Sequence, residues 1–194
     1  MADSVLCRKM LTMLLTPACE ADYPAIISLV NVAYRGTDGA APSWNVENGV
    51  LAGQRIDESL LREELAAKPE GHLLTYRDEP GGELLGTVWL DPRAAGVWYL
   101  GMLAVRPDVQ MRRLGSGLLA AAESFAGECG ARRIRMTVLY VRDVLIGWYE
   151  RRGYVLTGET EPFPYGDERF GTPLRDDLHF VVLEKDVEKT EIPD

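Results

Sequence analysis

A glycine-containing turn with two adjacent arginines follows an uncharged run in the middle of the chain. The uncharged run is Val97–Val105, and the turn holds Arg112, Arg113 and Gly115. Backbone N–H groups at a helix N-terminus are unpaired and partially positive, so they bind phosphate where glycine allows close approach. The segment therefore predicts an anion site at the start of a helix. The alternative is that the arginines are solvated and the glycines only begin the helix.

Two kinds of phosphate-binding motif can be compared with this turn. Residues 115–120 fit the G-x-G-x-x-G/A dinucleotide fingerprint, although a lone match of this kind is weak. In the fingerprint the first glycine follows its strand closely, whereas nine residues separate Val105 from Gly115. An acidic residue is also expected after the next strand, and this chain has arginines around Arg133 instead. A nicotinamide cofactor is therefore disfavoured, and no G-x-x-x-x-G-K-[ST] loop occurs.

Residues 103–119 resemble the acetyl-CoA motif of the GNAT (Gcn5-related N-acetyltransferase) superfamily. That motif runs V-x-P, then Q/R-x-x-G-x-G/A, then L-L. The residues in register with it are Val105, Pro107, Gln110, Gly115, Leu118 and Leu119. Arg113 stands where the family has its first glycine. An alternative register, Arg112-x-x-Gly115-x-Gly117, keeps both glycines but loses the spacing to the proline and the leucine pair.

A second segment, residues 148–154, resembles the family's Y-E-x-x-G-F/Y segment, and the resemblance covers roughly residues 10–185. It implies an enzyme that moves an acetyl group from acetyl-CoA, its cosubstrate, by direct attack to a primary amine of a small molecule or peptide, without a metal. It also implies that Tyr149 gives a proton to the departing sulfur, because a phenol with a pKa of about 10 stays protonated at neutral pH. The alternative is that Tyr149 is a core aromatic beside Trp148.

By the same resemblance, acetyl-CoA contacts the uncharged central strand and the basic turn. A backbone N–H of the strand would face the thioester oxygen, which gains negative charge during attack. The residues expected to bind the cosubstrate are Leu103, Ala104, Val105, Gln110, Met111, Arg112, Arg113, Leu114, Gly115 and Ser116.

The acceptor amine is expected between the loop after the first helix and the region of residues 163–170. The candidate substrate-binding residues are Tyr34, Trp44, Glu47 and Tyr99. Many family members carry a glutamate on the central strand, and Val97–Val105 has none. The general base is therefore unassigned, with three conceivable carboxylates: Glu47, Asp91 and Asp167. The missing glutamate and Arg113 keep a second function open, a degenerate GNAT domain that binds CoA as a regulatory or structural module without turnover.

The elements that must position these residues follow from the hydrophobic pattern. Helical spacing predicts helices over residues 20–35, 57–68, from the basic turn to about 129 with Cys129 on the buried stripe, and 144–152. Alternating or uncharged runs predict strands over residues 10–16, 72–76, 83–90, 97–105, 133–140, 154–157 and 178–183. This order predicts an α+β (mixed α/β) domain, with a mostly antiparallel sheet around one central parallel βαβ unit and flanking helices.

Composition narrows the class of protein. The 194 residues suit one GNAT domain at residues 10–185, with an extension at 1–9 and a charged tail at 186–194. A net charge of −9 opposes general nucleic-acid binding. The cysteines are too scattered for a disulfide framework, and His72 and His179 lack metal-ligand spacing. We expect a cytoplasmic protein without nucleic-acid or membrane partners, and the dimers common in the family make a homodimer an expectation from resemblance.

Overall fold

The computed structural model describes residues 13–36, 49–108, 114–167 and 171–187. The helices in these ranges are α1 (Tyr23–Arg35), α2 (Glu58–Ala67), α3 (Leu114–Glu128) and α4 (Asp143–Glu150). The strands are β1 (Thr16–Pro17), β2 (Leu51–Ala52), β3 (His72–Tyr76), β4 (Gly86–Pro92), β5 (Val97–Val105), β6 (Arg133–Leu139), β7 (Val155–Pro162), β8 (Thr172–Pro173) and β9 (His179–Asp186). None of the helices in this part of the chain is long and apolar enough to span a membrane.

Seven strands form one sheet in the order β1-β3-β4-β5-β6-β9-β7, and β2 pairs separately with β8. The pair β5 and β6, which α3 connects, is parallel. The other strand pairs in the described residues are antiparallel. The predicted mixed class, with one central parallel βαβ unit in a mostly antiparallel sheet, is confirmed.

Local sequence explains where the helices begin and end. The Asp57 carboxylate accepts a hydrogen bond from the backbone N–H of Leu60 at 2.8 Å, which satisfies an otherwise unpaired donor at the start of α2. Pro69 cannot continue that helix. Gly130, at φ 94°, takes up the left-handed conformation that follows many helices and ends α3. The predicted burial of Cys129 is wrong, because α3 ends at Glu128 and the thiol side chain is exposed.

The sheet separates two hydrophobic layers. Helices α3 and α4 pack on one face, through residues such as Leu118. Helices α1 and α2 pack on the other face, through Ile26 and Leu61. The predicted alternation along β6 is confirmed, since Ile134 and Met136 are buried in the layer that contains α3. Side chains from opposite faces can therefore meet only where the sheet opens.

Strand β5 contains one residue more than β4 across from it, and its side chains change face there. Before the extra residue, the side chains at even positions, Trp98 and Leu100, pack in the layer with α3. After it, the side chains at odd positions, Leu103 and Val105, pack in that layer. The ladder to β4 changes register over the same stretch. Met102 has φ 46° and packs in the opposite layer. This is a β-bulge, which bends a strand and redirects its backbone groups.

Strands β5 and β6 separate soon after they begin. The parallel ladder joins residues 97–99 to residues 133–135 and then ends. Beyond it β5 remains paired with β4, and β6 remains paired with β9. The edges that face each other past Tyr99 and Arg135 have no strand partner among the described residues. The sheet is therefore split at its centre, on the carboxyl side of the parallel pair.

Several predicted strand ends are wrong. In the described residues the first strand is Thr16–Pro17, whereas the predicted strand covers residues 10–16. Residues 10–12 of that prediction lie outside the described ranges. Strand β4 runs Gly86–Pro92 rather than 83–90, so it begins and ends later than predicted. Strands β7 and β9 are longer than predicted because they pair with each other to the edge of the sheet. The β2–β8 pair was missed, since two-residue strands are too short to show alternation.

Candidate active site

A cleft of about 740 Å³ occupies the gap between β5 and β6. Residues 100–103 and 136–139 line it, and both stretches lie beyond the last parallel pair. The helices contribute Tyr34 from α1, Glu64 from α2 and Tyr149 from α4. Because the strands diverge here, groups from both faces of the sheet reach one space.

The residues predicted to bind acetyl-CoA are placed only in part. Leu103 lines the cleft, whereas Ala104 and Val105 are buried farther along β5. Leu114, Gly115 and Ser116 form the first turn of α3. The predicted residues Gln110, Met111, Arg112 and Arg113 lie outside the described residues. The described part of the predicted cosubstrate site is thus the unpaired edge of β5 and the start of α3.

Tyr149 lies in the wall of the cleft and is only 6 % exposed. Its ring packs edge-on against Trp148 and Tyr154, with centroids 4.9 and 5.5 Å away. Burial raises the pKa of Tyr149 well above its ordinary value of about 10, and nearby Tyr34 and Tyr99 raise the pKa further. None of the described residues forms a hydrogen bond with its hydroxyl. Tyr149 is both part of the aromatic core and a protonated phenol at the cleft, so the two sequence interpretations are compatible.

Of the predicted acceptor-binding residues, Tyr34 and Tyr99 both line the cleft. Tyr99 points to the face of α1 and α2, and its hydroxyl lies 3.0 Å from the hydroxyl of Thr137 on β6. Burial raises the pKa of Tyr99, so this phenol also stays protonated. Trp44 and Glu47 lie outside the described residues.

The cleft carries many charged groups, most of which sequence reasoning missed. Arg135 on β6 forms ion pairs with Glu159 at 2.6 Å, Glu184 at 2.9 Å and Glu161 at 3.6 Å. Among the described charged residues that line the cleft are Arg55, Glu64, Lys68, Arg93, Arg135, Arg142, Glu161 and Asp167. The alternation along β6 could have placed Arg135 and Thr137 on the face of the sheet toward α1 and α2. The ion pairs of Arg135 with β7 could not be predicted, because the approach of β7 depends on long-range strand pairing.

The conceivable bases named from the sequence have different surroundings. Asp91 is buried, and its Oδ2 forms an ion pair with Arg93 at 2.7 Å, with Lys68 at 3.7 Å. It does not line the cleft. Asp167 does line it, together with Glu64 and Glu161, which the sequence did not single out. Asp91 therefore orients Arg93 and Lys68, and the accessible carboxylates come from α2, β7 and the loop after β7.

The family follows from a comparison of sequences. A sequence model of the acetyltransferase (GNAT) family matches residues 39–154, more than half of the chain. The chain belongs to the GNAT family. The predicted family is thereby confirmed, and the family uses acetyl-CoA as its acyl donor. No curated protein gives a significant match.

Solved structures of GNAT proteins share the fold. Ribosomal-protein-alanine N-acetyltransferase from Brucella melitensis superposes with a TM-score of 0.63 at 18 % identity, covering 90 % of this chain and 99 % of that one. Ard1 from Thermoplasma volcanium superposes with a TM-score of 0.62 at 15 % identity, covering 91 % of this chain and 99 % of that one. The yncA protein from Salmonella typhimurium was solved with its cofactor acetyl-CoA. It superposes with a TM-score of 0.58 at 20 % identity, covering 94 % of this chain and 98 % of that one. At these identities the likeness shows the fold alone.

The cleft of this GNAT domain suits a thioester cosubstrate. The edge of β5 past Tyr99 offers backbone groups that have no strand partner among the described residues, next to the bulge at Met102. Such an edge can pair with the amide groups of an extended ligand. Within the described ranges, no cluster of His, Cys, Asp or Glu side chains could hold a metal ion.

Proposed function

We propose that the protein transfers the acetyl group of acetyl-CoA by direct attack to a primary amine of a small molecule or peptide. The observation that carries this proposal is the cleft through the split sheet, with Tyr149 on one side and Tyr34 and Tyr99 on the other. Two ligands that enter from opposite faces can meet there. The free thiols of Cys19 and Cys129 are exposed and lie outside the cleft lining, which supports a reaction without an acyl-cysteine.

The unpaired edge of β5 would hold the pantetheine arm of acetyl-CoA. An extended ligand gains main-chain hydrogen bonds by adding to a free strand edge. A backbone N–H of residues 100–103, turned by the bulge, would face the thioester oxygen and stabilise the charge that develops on it. The first turn of α3, from Leu114 to Ser116, would bind phosphate together with the predicted Gln110–Arg113 segment.

Tyr149 would stabilise the departing sulfur of CoA. Burial raises the pKa of its phenol, so the hydroxyl carries its proton at neutral pH. An ordinary thiol has a pKa of about 8.5, below that of this phenol. The proton therefore remains mostly on the oxygen, and Tyr149 stabilises the thiolate chiefly as a hydrogen-bond donor. Complete protonation of the sulfur can then follow from water.

Glu161 would accept the proton of the attacking amine, through a water molecule. It lines the cleft, lies 3.6 Å from Arg135, and acts on the pKa of Tyr99. These contacts support a role for its carboxylate in the half of the cleft that we assign to the acceptor. Asp91 is unsuited to the same task, because it is buried between Arg93 and Lys68.

A cytoplasmic location and a homodimer are further parts of this proposal. Two described cysteines are free and exposed, which suits a reducing compartment. The homodimer rests on the family resemblance alone. Light scattering of the purified protein, at several concentrations, measures the oligomeric state directly.

A CoA-binding module without turnover is the second candidate function. It is favoured by β5 itself, where Tyr99 and Gly101 line the cleft and no glutamate is present. The deciding experiment incubates the protein with acetyl-CoA and a panel of amines and measures free thiol, with CoA affinity measured by calorimetry. Amine-dependent thiol release that falls in Tyr149→Phe while CoA affinity is retained supports the transferase. Binding without release across the panel supports the module, and absence of binding contradicts both.

A further inference from the structure

Arg152 follows the end of α4 and reaches across to the first turn of α3. Its Nη2 donates a hydrogen bond to the Ser116 hydroxyl at 2.5 Å, and its Nη1 donates to the Trp148 carbonyl at 2.7 Å. The guanidinium carbon lies 3.6 Å from the centre of the Trp148 ring. Its position is therefore fixed by three contacts, all to neutral groups.

Within the described part of the chain, the charge of Arg152 lacks a carboxylate partner. No described residue forms an ion pair with it, and the nearby Glu123 is occupied by Lys185 at 2.7 Å. Its Nε is buried and has no hydrogen-bond partner among the residues that the structure describes. Burial and the neighbouring Arg151 lower the pKa of Arg152, whereas Tyr149 and Glu123 act in the opposite direction. A partly buried charge that lacks an ion pair is costly to keep in a folded protein.

The place that Arg152 contacts is itself positive. Ser116 is the third residue of α3, where the first N–H groups of the helix have no partner within it and the helix dipole is positive. A guanidinium bonded to this turn is repelled by the dipole. An anion next to both would remove the repulsion and supply an acceptor for the first N–H groups of the helix. Two independent sources of positive potential thus converge on one position.

We propose that Arg152 binds the pyrophosphate of acetyl-CoA, next to the first turn of α3. This inference rests on the proposed use of acetyl-CoA. The Y-E-x-x-G-F/Y segment leaves the position of Arg152 open, so the family pattern does not assign it. Arg152 supplies charge-assisted hydrogen bonds and holds the Ser116 hydroxyl toward the same ligand. Arg152 is thus a further cation for the pyrophosphate, in addition to those of the predicted Gln110–Arg113 segment.

Calorimetry with CoA, dephospho-CoA and S-acetylpantetheine tests the proposal. Dephospho-CoA keeps the pyrophosphate, and S-acetylpantetheine carries no phosphate. We expect Arg152→Met to weaken the binding of CoA and dephospho-CoA by about tenfold or more, and to leave S-acetylpantetheine unaffected. The matched control is Arg151→Met, which removes the adjacent exposed charge and should change the CoA affinity by less than about threefold.

The results separate four kinds of failure. If wild type does not bind CoA, the proposed function is wrong. If wild type binds CoA and Arg152→Met binds it equally well, the role of Arg152 is wrong. A loss that disappears with dephospho-CoA overturns the assignment to the pyrophosphate, and an equal loss with S-acetylpantetheine shows a merely structural role. If Arg152→Met does not fold, Arg152→Lys and Ser116→Ala replace it, and unchanged CoA affinity in both overturns the proposal.

Discussion

The hydroxyl of Tyr99 lies 3.0 Å from the hydroxyl of Thr137, and this contact joins β5 to β6 just past the end of their ladder. Tyr99 belongs to the last backbone pair, opposite Arg135, and Thr137 stands two residues farther along β6. A side-chain hydrogen bond therefore continues the connection where the backbones separate. It spans the inner end of the cleft, on the side assigned to the acceptor.

Tyr99→Phe should reduce both stability and acceptor binding. The substitution leaves the partly buried Thr137 hydroxyl without its partner, which costs about 0.5–1.5 kcal/mol of unfolding free energy. We expect the KM of the amine to rise while CoA affinity stays close to wild type. Denaturant unfolding and steady-state kinetics measure the two effects. Thr137→Ser keeps a hydroxyl at position 137 and is the control. An unchanged KM in Tyr99→Phe would remove Tyr99 from the acceptor site.

The sequence predicts elements whose signals are local. The run Val97–Val105 coincides with β5, and Asp57 and Pro69 mark the limits of α2 within a residue or two. Tyr34 and Tyr99, named from the family pattern, both lie in the cleft. In each case either short-range spacing or a family motif carried the information.

Residues placed by distant pairing could not be found in this way. Glu161 reaches the cleft because β7 adds to β9 at the edge of the sheet, beyond the predicted end of that strand. Arg152 reaches Ser116 only because α3 and α4 pack side by side on one face. The bulge at Met102 likewise has no local signal, since the residue is neither glycine nor asparagine.

Glu161→Gln should slow acetyl transfer most at neutral pH. The amide cannot accept the amine's proton, and loss of a general base typically costs about 100-fold or more. Activity should recover as the pH rises, because a free alkylamine with a pKa of about 10 then loses its proton without help. The pH dependence of kcat/KM is the measurement.

Glu159→Gln is the matched control for this variant. Glu159 lies on the same strand and pairs with the same Arg135, but it does not line the cleft. If both variants keep wild-type activity across the pH range, Glu161 is not the base. If both lose activity equally, the common cause is disturbance of Arg135.

Strongly alkaline solution should destabilise the fold through its buried phenols. Burial raises the pKa of both Tyr149 and Tyr154 above the ordinary value of about 10. Above that pH the unfolded chain loses these protons while the folded chain keeps them, so the free energy of unfolding falls as pH rises. Denaturant unfolding at about pH 8 and about pH 11 measures the fall. Tyr149→Phe removes one such phenol, and an undiminished fall in that variant would contradict a contribution from Tyr149.

Because Gly71 has no side chain, it leaves room for the indole of Trp89, which forms part of the cleft wall. A Cβ at position 71 would lie 2.1 Å from Cζ2 and 2.3 Å from Cη2 of Trp89, which is buried. Gly71→Ala must therefore displace the ring, and overpacking of this kind costs about 1–3 kcal/mol. Because Trp89 lines the cleft, we also expect a higher KM for the amine.

Gly147→Ala is the control for this substitution, measured by the same denaturant unfolding. Its added Cβ would meet only the ends of the Arg151 and Glu150 side chains, at 3.3 and 4.0 Å. Alanine is favoured over glycine within a helix by about 0.5–1 kcal/mol, so this variant should be at least as stable as wild type. A Gly71→Ala protein with wild-type stability would show that the indole moves freely. Trp89 could not then be a fixed wall of the acceptor site.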